Sequence, residues 1–194
     1  MTASTRLPRR LVLLTPLAAA ACGGDMPVRD MPPLRYDFLT RLRLNVASIQ
    51  IGDAPPPSPV EERSATTAGA ALRQMAEDRL AVGGSSGRAV FVIDQARIER
   101  VAGRLDGFMA AHLDVLTTDG VRAGFAEARV SRSATMRGDL RAALYDLVRQ
   151  MMDDMNVEFE FQVRRSLRDW LQDPTTAPAP APVEQQDLRA PAAL

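Results

Sequence analysis

The sequence contains no lysine: all 24 of its basic residues are arginine. That absence removes Schiff-base chemistry, Ser-Lys dyads and the lysine of a phosphate-binding loop from the functions open to the chain. Histidine is limited to His112 and cysteine to Cys22. Metal sites and nucleophilic triads usually need His with partners, and neither a second His nor a Cys pair exists to complete one. No apolar run approaches the roughly 20 residues that a membrane-spanning helix requires.

What remains is the composition of an ordinary globular chain, 46% hydrophobic and 25% charged. Its 194 residues accommodate one domain once the ends are set aside. Acidic and basic residues balance at 24 each, but removal of a leader through Ala21 takes Arg6, Arg9 and Arg10 with it, leaving 21 basic groups and a net charge of −3. A mildly acidic surface argues against nucleic acid as a partner, because that contact is driven by phosphate neutralisation.

Arg6, Arg9 and Arg10 form a positive n-region, and Leu11 to Ala21 a short apolar h-region, as in a secretory signal over residues 1–21. Ala19-Ala20-Ala21-Cys22 resembles the lipobox of bacterial lipoproteins, with Ala19 standing where Leu is usual. The resemblance implies diacylation of Cys22, which becomes the new N-terminus and anchors the chain to a membrane. Each buried acyl CH₂ contributes about 0.8 kcal/mol, so two or three chains anchor stably where one does not. Two alternatives stay open: ordinary cleavage at an A-x-A site over Ala19–Ala21, leaving a free thiol, and a twin-arginine signal at Arg9-Arg10. By analogy with lipoprotein sorting, Gly23 in place of an acidic residue after Cys22 favours the periplasmic face of the outer membrane over the inner membrane.

From Cys22 to residue 40 the chain reads as a Gly- and Pro-containing tether, and 41–172 as the domain. Leu42, Leu44 and Val46 alternate before the phase switches to Ala47, Ile49 and Ile51, which predicts one strand with a bulge. Four prolines between Ala54 and Pro59 make a loop. Thr66 or Thr67 caps a helix carrying Ala71, Leu72, Met75, Ala76 and Leu80 on one face, ending at Gly83-Gly84. GGSSG from Gly83 follows this helix and lacks lysine, so it reads as a turn and not as a phosphate loop.

Strands are expected at 89–101, 108–117 and 123–131, with a tight hairpin at Asp119-Gly120. A long helix from Asp139 to Leu171 carries Leu140, Leu144, Val148, Met151, Met155, Phe159, Val163 and Trp170 as its stripe. Within it Val157, Phe159, Phe161 and Val163 also alternate as a strand would; helix is preferred because no turn signal interrupts the stripe. Residues 173–194 read as a Pro/Ala-rich tail without fixed structure. The expected fold is therefore α+β, an antiparallel sheet of about four strands in the order β-α-β-β-β-α with two helices on one face.

No catalytic set emerges. His112 reads as a surface or satisfied side chain, Asp153-Asp154 as part of a solvated helix face, and Glu158 and Glu160 as ion-pair partners for Arg164 and Arg165. No cofactor or metal is expected. On a helix, Val157 and Phe161 lie one turn apart on the polar face, which makes them candidates for a partner surface. The element order and signal are similar to the LPS-assembly lipoprotein family and, more loosely, to auxiliary lipoproteins of ABC-type lipid transport, over about Arg41 to Leu171. That resemblance carries no site residue. It implies a non-enzymatic envelope lipoprotein assisting assembly or transport through an envelope protein partner; the alternative is a periplasmic binder of lipid or another apolar ligand.

Overall fold

The computed structural model describes residues 29–172. Its elements run β1 (Leu42–Leu44), β2 (Ser48–Ile51), a 3₁₀ turn (Glu61–Arg63), α1 (Ala68–Arg79), β3 (Leu80–Val82), β4 (Arg88–Val101), β5 (Arg104–Leu116), β6 (Arg122–Thr135), α2 (Leu140–Ser166) and a second 3₁₀ turn (Arg168–Trp170). The signal, Cys22 and the tail lie outside the described residues.

The α+β class is as expected, but the sheet is not purely antiparallel. A four-stranded sheet has the order β2-β4-β5-β6, in which β2 pairs parallel with β4 and the remaining pairs are antiparallel. A second, two-stranded sheet pairs β1 parallel with β3. The predicted bulged first strand is thus two short strands in different sheets. Between them, Asn45 N–H donates to Trp170 O at 2.7 Å and Val46 N–H to Leu44 O at 2.8 Å, so the chain turns out of one ladder and into the next. The phase switch in the sequence marks a change of sheet.

Helix α1 starts where its cap was expected, with the Thr67 side chain accepting from Ala70 N–H. It stops short of Gly83, because Leu80 is already extended (ψ 134°) and opens β3. Leu80 fits both the helical spacing and a buried strand position, so periodicity could not separate the two.

Strict alternation buries Ala89, Phe91 and Ile93 of β4, then Ala96 and Ile98 after a register shift between Ile93 and Gln95. It likewise buries Leu105, Met109, Ala111, Leu113 and Val115 of β5, and Ala126 and Ala128 of β6. The strands begin or end beyond their predicted limits. At the far end of the β4–β5 hairpin, Ala102 and Gly103 both take positive φ (47° and 79°), the conformation of a tight turn that Asn-Gly more often signals. The Asp119-Gly120 hairpin forms as predicted, with Gly120 at φ 81°.

Both helices pack on one face, joining a single core. Phe91 meets Phe159 edge to face at 5.5 Å. A side chain at Gly107 would collide with Met151, and one at Gly124 with Leu167, so these glycines let α2 lie close to β5 and β6. Helix α2 is 27 residues, about 40 Å long, capped by the Asp139 carboxylate accepting from Ala142 N–H at 2.9 Å. It ends earlier than predicted: the chain unwinds after Ser166, turns through Arg168–Trp170, and Leu171 bridges Leu44. Before the first strand, Arg29 pairs with Asp146 at 2.6 Å, the Tyr145 hydroxyl donates to Pro32 O, and Tyr36 is buried, so part of the stretch read as tether lies against the domain.

Candidate functional site

Successive residues on a helix turn by about 100°, so the alternating set Val157, Phe159, Phe161, Val163 cannot share a face in α2. The structure splits it: Phe159 and Val163 are fully buried, while Val157 is 72% and Phe161 55% exposed. Residues 156–163 are helix, and the two outward apolar side chains stand one turn apart.

Ion pairs and hydrogen bonds fix this helix on both flanks. On the β6 side, Arg132 donates to Asp154 at 2.7 and 2.9 Å and to Gln150 at 3.1 Å. Beside that contact runs a groove of about 390 Å³ lined by Arg129, Val130 and Ser131 of β6 and by Asp154, Val157 and Glu158 of α2. On the α1 side the clamp is Arg79, 1% exposed, which donates to Asn156 Oδ1 at 3.1 Å, to Thr40 O and to the Glu160 carboxylate. Partial burial pushes the Glu160 carboxyl up, but hydrogen bonds from Arg164 and Arg79 outweigh it and hold the group below the usual carboxylate range. The rotation of α2 about its axis is therefore set, and with it the outward aim of Val157 and Phe161.

The sheet adds a second feature on the same side of the molecule. Strand β6 is the last in its sheet, and no described residue pairs with its other edge. The candidate surface thus combines an apolar pair on α2 with an open strand edge beneath it.

The other sequence candidates resolve into ion pairs and hydrogen bonds, with Glu158 bonded to Gln162 and not to an arginine as expected. His112 lies on the uncovered sheet face, its Nδ1 2.7 Å from Asp94 and its ring tilted against Phe125 at 5.5 Å, with Asp114 near Nε2 at 3.6 Å. Asp154 serves Arg132 and Asp153 faces Arg149 one turn back. Glu158 accepts from Gln162, and Glu160 from Arg164. Among the described residues no three His, Cys, Asp or Glu side chains are grouped to hold a metal ion, and no helix is long and apolar enough to cross a membrane.

Sequence reasoning missed three buried polar residues. Besides Arg79 and Asn156, Glu61 is 1% exposed and accepts from Ser58 N–H and Oγ–H, Ala68 N–H and Ile98 N–H. Glu61 stands in a run of charged residues and Arg79 beside Asp78, as surface residues do, so nothing local marks either.

No protein-family model matches the chain, and no curated protein matches it. Among solved structures it is similar to a candidate lipoprotein from Caulobacter crescentus, at 14% identity and a TM-score of 0.36, covering 62% of this chain and 88% of that one. It is also similar to a Xanthomonas campestris protein of the family labelled DUF330, at 9% identity and a TM-score of 0.37, covering 71% of this chain and 95% of that one. Likeness at these values assigns no family.

Proposed function

We propose that the chain is a non-enzymatic cell-envelope lipoprotein, held by lipid on Cys22 at the periplasmic face of the outer membrane. It works as an assembly or transport accessory through protein contacts on the α2 flank. The observation that carries this reading is the placement of Val157 and Phe161: two large apolar side chains, exposed in a helix locked on both flanks, above an open strand edge. Isolated exposed apolar residues need no explanation, but a pair one turn apart in a fixed frame is the form of a helix-borne contact.

A second reading is favoured by a groove of about 680 Å³ between the two sheets, lined by Ile49, Ile51, Ala76, Leu80 and Val82 together with Arg41, Arg43 and Glu77. It is the cleft that a lipid or another apolar ligand would enter.

Full-length wild type, Cys22→Ser and Phe161→Glu, expressed in a Gram-negative host and extracted in mild detergent, separate these. The expected outcome is that Cys22→Ser leaves the membrane fraction, while Phe161→Glu stays in it, folds normally and loses co-purifying envelope protein. A Phe161→Glu chain with an unchanged partner set contradicts the contact reading. Lipid bound to the domain in native mass spectra supports the second.

A further inference from the structure

We infer that the occupant of this surface is a second copy of the chain: β6 pairs antiparallel with β6 of the second copy, and the two α2 flanks meet over the seam through Val157 and Phe161. This rests on the contact reading above and names the partner. The sheet then runs unbroken through eight strands about a two-fold axis.

Strand length is the first argument. β6 spans 14 residues, where a typical strand has about 5–6, and edge strands are ordinarily short or interrupted by proline or a bulge. β6 contains no proline, and its register with β5 is regular from Gly124 to Thr135. The opposite edge of the sheet ends in β2, only 4 residues long.

Backbone polarity is the second. Met136 N–H donates to Gly103 O, which sets the alternation of the β5–β6 ladder. The N–H and C=O groups of odd-numbered residues from Phe125 to Thr135 accordingly point to the free edge, where two antiparallel copies can exchange them.

Charge selects the register. Of the four charged residues of β6, Arg132 is held by Asp154 and Arg122 lies near Asp114, while Glu127 and Arg129 are bonded to each other within the strand at 2.8 Å. Pairing centred on Glu127 or on Arg129 sets like charges face to face, which destabilises a ladder. Pairing centred on Ala128 places Glu127 opposite Arg129 of the second copy twice, and this register also spans nearly the whole strand. On the helix side it brings together Ala126, Ala128 and Val130, small or apolar side chains that leave room for the helices.

Phe161 supplies the remaining contact. The groove between β6 and α2 holds Val157, and Phe161 follows one turn along the same flank. Two-fold pairing of β6 brings these exposed side chains together between the two helices, flanked by Asp154 and Glu158 of the same groove.

Sedimentation equilibrium of the full lipidated chain in detergent, at micromolar protomer, tests the inference. Wild type is expected at about twice the protomer mass. Phe161→Glu and Glu127→Arg each weaken dimerisation about tenfold or more, and Glu127→Arg combined with Arg129→Glu restores it, because the swap rebuilds opposite charges across the seam. Circular dichroism melts confirm that each variant is folded. A monomeric wild type, or a double swap no better than the single variant, overturns the inference. If wild type is monomeric while Phe161→Glu still strips another envelope protein from the chain, the contact reading stands and only the second copy is wrong; if Phe161→Glu changes neither, both fall.

Discussion

Arg79→Met is expected to lower the unfolding free energy by about 3 kcal/mol, which for a domain of this size lowers Tm by roughly 10 °C. Methionine fills most of the space but donates nothing. It leaves the Asn156 side-chain oxygen and the Thr40 carbonyl without their charged donor and takes one of two arginines from Glu160. Because Glu160 is about one third exposed and keeps Arg164, its share of the loss is the smaller one, and Glu160→Gln is correspondingly mild. The pH dependence has a definite sign. The folded Glu160 carboxyl is depressed, so its ion pairs contribute fully above the unfolded carboxylate value, near 4, and fade as pH falls through the folded one. The gap between wild type and Arg79→Met should narrow in acid, as chemical denaturation at pH 7 and pH 3 would register.

Glu61→Gln has the second large effect, about 2 kcal/mol. Both carboxylate oxygens of Glu61 accept: Oε1 takes Ala68 N–H at 2.9 Å, in the first turn of α1, and Oε2 takes Ser58 N–H, Ser58 Oγ–H and Ile98 N–H. An amide can replace one oxygen only, so an NH₂ group must face at least one backbone N–H that is then buried without an acceptor. The proline loop, the start of α1 and the end of β4 are joined at this one side chain, so the damage should localise. Hydrogen exchange is expected to accelerate at Ala68 and Ile98 well beyond the global change, while the β5–β6 ladder keeps its protection. Uniform acceleration over the whole sheet would show instead that Glu61 acts only through overall stability.

What the sequence revealed followed the strength of its periodicity. Helix α2 was legible because Leu144, Val148, Met151, Met155, Phe159 and Val163 keep one face through an interval with no Gly or Pro. The same stripe left Val157 and Phe161 as outliers, and their exposure follows from helix geometry alone. The long strands and the Asp119-Gly120 turn were visible for a similar reason. The short parallel strands were not: β1 and β3 have three residues each, too few to show a period, and their pairing depends on chain segments far apart in sequence. Leu80 satisfied the helix and the strand equally. Arg79, Asn156 and Glu61 were invisible because a polar residue reveals its burial only through partners from other elements, here Thr40, Glu160, Ser58 and Ile98. The open edge of β6 was likewise a property of strand order, which local patterns do not encode.

The central claim is that the outward flank of α2 is a protein contact surface, and the most direct test is site-specific photocrosslinking in living cells. With a benzophenone side chain at position 161 of the full-length chain, the account predicts a discrete protein adduct on irradiation, of the mass of a second copy or of another envelope protein. The same probe at Arg149, 49% exposed on the α1 side of α2, is predicted to give none. Absence of any adduct at position 161, or equal labelling from both positions, would contradict the claim.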